Sequence, residues 1–424
     1  MASERILLEI IPDRDFRNED LLMDAIQVVR VELCPFSSNR RLINMDSTVY
    51  DLIINAGRVV CPSTGLDGPS TVAVKGDRIV SVGNRFEGTA RQTLDFPNDL
   101  LLPGLVDMHA HPAREGSKYG IDPDIHMLPR GTTTVLSQGD AGASNWPRYR
   151  ESVVEKACTC VRLALNLSIR GESTAGGCFE NLSDIDVDAC VAAVEDGGDA
   201  IWGIAVNIST VTSGDTDPHE IMRRALSAAD RIGCPLLFGS RSQPDFPLAH
   251  QLAWLRTGDV VTYCFRNDTD RIVNDKCVID EVWKAREKGV LFDVGHGMNS
   301  FHFDVAETAI ASGFLPDTIS TDLYLRHVGS HPQHDLPRTL SKLIAAGMSE
   351  ADALSRVTIR PAEVLGMSGE VGTLAPGTSA DLSVLRWNSE TLPLCDVTGA
   401  PRPGGCWEPI LTVRAGQLID TVVS

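Results

Sequence analysis

The sequence predicts an α/β protein: a (β/α)8 barrel of TIM type plus a small β-sandwich built from both chain ends. Short apolar strands alternate with helical stretches from residue 101 to about residue 368, the pattern of parallel βα units. Eight such strands can be counted, the number a closed barrel requires. The stretches before and after this region are β-rich. At 424 residues the chain exceeds a domain of about 100 to 150 residues, but one barrel of about 250 residues with a smaller unit absorbs the length.

Residues 1–47 mix acidic and apolar residues without a clear period. They read either as an added extension of unassigned role or as sequence upstream of a start at Met45. Residues 48–100 are expected to join residues 369–424 in the composite sandwich. Lys75-Gly76-Asp77-Arg78 stands between two β-branched runs, a hairpin signal. The barrel, residues 101–368, opens with the strand ending at His109 and His111. It continues through strands beginning at Gly131, Arg162, Ala200, Cys234, Asp259, Val290 and Thr318, with helices expected over residues 186–195 and 217–232. After residue 369 the chain turns β-rich again and ends with a strand through Ile410.

Composition narrows the function. With 43% hydrophobic and 22% charged residues the chain reads as an ordinary soluble protein, and no apolar run approaches the roughly 18 residues a membrane span needs. Acids interrupt the short apolar stretch near the start, which argues against a secretory signal and for a cytoplasmic location. A net charge of −19 disfavours nucleic acid and anionic membranes, both bound by clustered Lys and Arg. A small-molecule substrate is the expected partner, and self-association into a homo-oligomer is compatible with the fold. The 11 cysteines show no Cys-x-x-Cys pair and read as buried thiols in a reducing compartment.

Chemistry concentrates at the first barrel strand. Side chains two apart on a strand share a face, so His109 and His111 present two imidazoles to one point. That is a metal-binding pattern, with Zn2+ the expected ion at about 2.0 to 2.1 Å from each nitrogen. Two satisfied core histidines are the bland alternative. The position of both at a strand end weighs against it.

Several stretches then carry a resemblance. Leu102-Pro-Gly-Leu-Val-Asp-Met-His-Ala-His, Ser320-Thr-Asp-Leu and Gly372-Thr-Leu-Ala-Pro-Gly-Thr-Ser-Ala-Asp-Leu resemble the first-strand, last-strand and return motifs of the amidohydrolase superfamily. Tyr119-Gly-Ile-Asp-Pro-Asp, Gly131-Thr-Thr-Thr-Val and Phe292-Asp-Val-Gly-His-Gly are similar to its dihydroorotase-like deacetylases, some of which cleave acetyl esters of hydroxy acids. The resemblance implies two metals held by a His-x-His pair, a carboxylated lysine, two further histidines and an aspartate that shuttles the proton of the attacking water. In this chain His109, His111 and Asp322 match. Ala205 stands where the lysine is expected, and Gly239 and Tyr263 where the two histidines are expected.

A binuclear centre is therefore not expected. The reading is a hydrolase of a small amide, cyclic amide or acyl ester, with at most one metal on His109, His111 and Asp322. Asp322 would serve as base and His296 would orient the carbonyl. Tyr263 and Arg241 would contact substrate, the arginine through a carboxylate. His302, His327, His331 and His334 are further histidines near the last strands. They would replace lost ligands or lie in a solvated loop. The alternative function is an inert scaffold of the same fold that has lost its metal centre, because fold does not fix function.

Overall fold

The computed structural model describes residues 49–84, 88–173, 175–243 and 245–420. The expected extension, residues 1–47, lies outside the described residues. Both β-rich ends meet in one seven-stranded sheet. Its order is Gln417–Ile419, Cys406–Arg414, Leu382–Asn388, Thr89–Pro103, Val49–Cys61, Leu66–Lys75 and Arg78–Gly83. The last two strands form the antiparallel hairpin expected around Gly76.

Thr89–Pro103 is followed after one residue by Leu105–Ala110, so the sheet feeds directly into the barrel. The barrel strands run in chain order: Leu105–Ala110, Thr132–Gln138, Cys160–Asn166, Ile201–Asn207, Leu236–Gly239, Val260–Thr262 and Leu291–Phe292. All neighbouring pairs are parallel. Residues 318–323 close the ring. Thr318 bridges to Asp293 and Leu323 to Ala110, both in parallel sense, and Val294 N–H donates to Thr318 O at 3.2 Å while His111 N–H donates to Leu323 O at 3.0 Å.

Burial in these strands takes in polar and apolar residues alike. Every residue of Leu105–Ala110 and of Thr132–Gln138 is buried, because helices cover the outside of a parallel barrel and side chains fill the inside. Two covering helices begin where aspartates supply side-chain caps. Asp186 accepts from Ala189 N–H ahead of Val187–Gly197, and Asp217 from His219 N–H ahead of Pro218–Ile232. The second buries Ile221, Met222, Ala225, Ala228 and Ala229, the one-sided stripe of an amphipathic helix. Truncating Ile221 to alanine would cost about 2 to 5 kcal/mol. Among the described residues no helix is long and apolar enough to cross a membrane.

Candidate functional site

Alternation along Leu105–Ala110 and beyond puts Asp107, His109 and His111 on one face. Asp107 is fully buried and stitches the first strand to the closing segment. It accepts from Thr321 N–H at 3.1 Å and from the Thr321 hydroxyl at 2.6 Å. Asp322 follows directly, its N–H donating to His109 O at 2.6 Å. Its φ of 49° is the left-handed conformation that aspartate tolerates better than most residues.

The result is a triangle of donors. Asp322 Oδ1 lies 3.4 Å from His109 Nε2 and 3.4 Å from His111 Nε2. All three residues are buried, and their ligand atoms lie within 4.8 Å of one another. Two donors each about 2.1 Å from a tetrahedral ion stand about 3.4 Å apart, so the residues present fit one Zn2+-like ion. Mutual charge shapes the set as well. Burial pulls the His111 imidazole down, but the Asp140 and Asp322 carboxylates outweigh it and push its pKa up to about 10. Burial opposes the Asp322 charge, yet His109 and His111 hold its carboxyl well below the usual carboxylate range.

A second layer fixes which nitrogen faces the centre. His109 Nδ1–H donates to Thr262 Oγ1 at 2.7 Å, and that hydroxyl donates to Asp293 Oδ2 at 2.8 Å. His111 Nδ1–H donates to Asp140 Oδ1 at 3.0 Å, and Asp140 also accepts from the Ser117 and Ser137 hydroxyls, each at 2.6 Å. Both Nε2 atoms are thereby turned inward, where a bound ion would displace the proton that His111 otherwise carries, the arrangement typical of metal-ligating histidines. Sequence reasoning missed Asp107, Asp140, Thr262 and Asp293. Only Asp107 carried a local signal, two residues before His109.

The triangle borders a cavity of about 390 Å3 lined by His111, Asp322, Tyr263, Arg241, Tyr119 and Tyr324, among others. Tyr263 leaves its strand with φ 68° and places its hydroxyl 3.3 Å from His109 Nε2. The Arg241 guanidinium lies 3.9 Å from the centre of the Tyr263 ring, a cation–π distance. Neither Arg241 nor Arg326, on the same cavity, has a carboxylate partner among the described residues. On the side where a lysine and two histidines are expected stand the buried methyl of Ala205, Gly239 and Tyr263.

His296 requires a correction. It is not among the residues lining this cavity, and both ring nitrogens are committed elsewhere. Nδ1–H donates to Gly297 O at 2.7 Å and Nε2 accepts from Lys342 Nζ at 2.8 Å. Burial and the neighbouring Lys342 charge hold its pKa well below the ordinary value. His296 therefore has no free nitrogen with which to orient a carbonyl. His327, His331 and His334 line a separate cavity of about 690 Å3 that includes none of the three ligand-type residues, and His302 precedes the helix Phe303–Ala311. None of these four histidines belongs to the cluster around Asp322.

A closed parallel barrel with two imidazoles and a carboxylate at the carboxyl ends of its strands defines the class, a barrel hydrolase. Residues 280–415 match the model of the amidohydrolase family. A deacetylase of Enterococcus faecalis is 32% identical over 88% of this chain and 99% of its own length. A deacetylase of Agrobacterium fabrum is 31% identical over 82% and 86%. Among solved structures, an adenine deaminase aligns with a TM-score of 0.80 at 30% identity, covering 88% of this chain and all of that one. A dihydroorotase aligns at 0.76 and 28%, covering 87% and 98%. The chain belongs to the amidohydrolase family.

Proposed function

We propose that this protein is a metal-dependent hydrolase with a mononuclear centre on His109, His111 and Asp322, cleaving an acyl amide or acyl ester that carries a carboxylate. The observation that carries the reading is the meeting of two inward-turned Nε2 atoms and Asp322 Oδ1 at 3.4 Å. A scaffold that holds no ion gains nothing from gathering these groups with their proton-bearing nitrogens tied away from the centre. Relatives named deacetylase over most of both chains support an acyl substrate, small enough for a cavity of about 390 Å3.

A bound divalent ion, with Zn2+ matching the nitrogen-rich donor set, would lower the pKa of water and polarise the carbonyl. The chain's own residues do the rest. Asp322, held ionised by the two imidazoles, takes the proton of the attacking water and returns it to the leaving group. Arg241, without a carboxylate of its own, offers its planar fork to the substrate carboxylate.

Metal content per chain tests this, on protein purified without chelator. About one zinc per chain is expected in the wild type and none in His109→Ala. Hydrolysis of N-acetyl amino acids or O-acetyl hydroxy acids should be lost in Asp322→Asn. A wild-type chain that takes up no metal even from excess Zn2+ would return the reading to the inert scaffold.

A further inference from the structure

Two of the three lost ligands belong together sterically: Gly239, with Gly295, leaves a slot for the Tyr263 ring. A Cβ at Gly239 would stand 3.1 Å from Tyr263 Cε2 and 3.0 Å from the Asn207 side chain. A Cβ at Gly295 would stand 3.0 Å from Tyr263 Cδ1. Contacts that close require neighbours to give by a few tenths of an ångström, so a histidine at position 239 would crowd the ring as it sits. Ala205 contributes only a methyl group on the neighbouring strand. The ring lies between two glycines with Arg241 over its face, its hydroxyl beside His109 Nε2 and on the wall of the cavity that holds Asp322.

Among the described residues this side of the centre offers no ligand set for a second metal ion, yet the site must still stabilise charge on the carbonyl oxygen during attack. A phenol hydroxyl beside the centre can donate one hydrogen bond to an oxygen bound there. We propose that Tyr263 is a catalytic residue: its O–H donates to the scissile carbonyl oxygen as negative charge develops there, in place of a second metal ion. No proton is transferred. The hydrogen bond shortens as the oxygen becomes anionic, and Arg241 against the ring favours electron withdrawal from the phenol. This rests on the hydrolase reading above.

Tyr263→Phe removes the hydroxyl and keeps the ring in its slot. The expected result is unchanged zinc content and melting temperature, a KM within a few-fold of wild type, and a kcat lower by about 10² to 10³, the scale of losing one oxyanion donor. Calorimetry with a methylphosphonate analogue of an N-acetyl amino acid reads the same contact without turnover. Its tetrahedral anion should bind the variant about 100-fold more weakly, in keeping with that loss. A kcat within about threefold of wild type, or an unchanged phosphonate affinity, overturns the proposal. Loss of zinc from Tyr263→Phe overturns it too, by making the phenol a support of the metal. A wild type that neither binds zinc nor hydrolyses any acyl substrate overturns the hydrolase reading, and this one with it.

Discussion

The Cα of Gly297 lies against the Asp322 carboxylate: a side chain at position 297 would overlap Asp322 Oδ2, and Gly297 adopts φ 49°. The closing segment of the barrel and the turn after Leu291–Phe292 are thus fitted to each other through the residue proposed as base.

Gly297→Ala should therefore displace Asp322 while leaving the barrel folded. The left-handed backbone alone costs a non-glycine residue about 1 kcal/mol. A displacement of order 1 Å at a reacting group costs about 100-fold in rate. Steady-state kinetics alongside thermal melting checks this, and a variant with wild-type kcat would show that Asp322 does not need its present position.

Thr262 links His109 to Asp293 through one hydroxyl. Thr262→Val is close in shape but cannot accept from His109 Nδ1–H, so the imidazole loses the partner that turns Nε2 inward. Zinc affinity should fall about 10- to 100-fold in chelator competition. Thr262→Ser keeps the hydroxyl and should bind as wild type does. Equal weakening in both variants would point to packing instead.

The barrel was legible because short strands alternate with helical stretches along the chain; burial on both faces of Leu105–Ala110 and Thr132–Gln138 takes in Asp107, His109, Thr133 and Ser137 as well as the apolar residues. The histidine pair was legible because strand geometry fixes where residues two apart point. The support of that pair was not. Thr262 lies 153 positions from His109 and Asp293 lies 31 beyond Thr262, and no local pattern encodes such partners. His296 misled for a different reason. It stands between Gly295 at φ 50° and Gly297 at φ 49°, so the alternation of the strand no longer governs its ring, which turns to Lys342. Tyr263, at φ 68°, likewise escapes strand alternation, and its seat between two glycines depends on residues from neighbouring strands.

Arg241 lines the cavity with its guanidinium over Tyr263 and, among the described residues, only the Ser240 carbonyl, at 3.3 Å, as a hydrogen-bond partner of that guanidinium. Arg241→Leu should raise KM for acyl substrates bearing a carboxylate, lowering kcat/KM about 10- to 100-fold, the scale of a charge-assisted hydrogen bond of about 1.5 to 3 kcal/mol. The matching primary amide, which has no anion to meet, should be affected far less. Equal losses on both substrates would assign Arg241 to holding the Tyr263 ring.

Lys342 is buried on the helix Leu336–Ala345 and donates to His296 Nε2. Burial, together with the Arg338 charge, pushes its pKa down to about 8 from 10.5. The unfolded chain thus binds this proton more tightly than the folded one, and stability rises with pH as the difference is relieved. The penalty is full below pH 8, about 3 kcal/mol for a shift of this size, and fades as pH climbs toward 10.5. Lys342→Met removes the titration but also takes a donor from His296, a loss nearly independent of pH in this range because His296 stays neutral. The stability difference between variant and wild type should therefore move in the variant's favour by about 2 to 3 kcal/mol between pH 10 and pH 7. Urea denaturation at the two pH values measures it directly. A difference that stays constant with pH would mean that Lys342 keeps its ordinary proton affinity inside the fold.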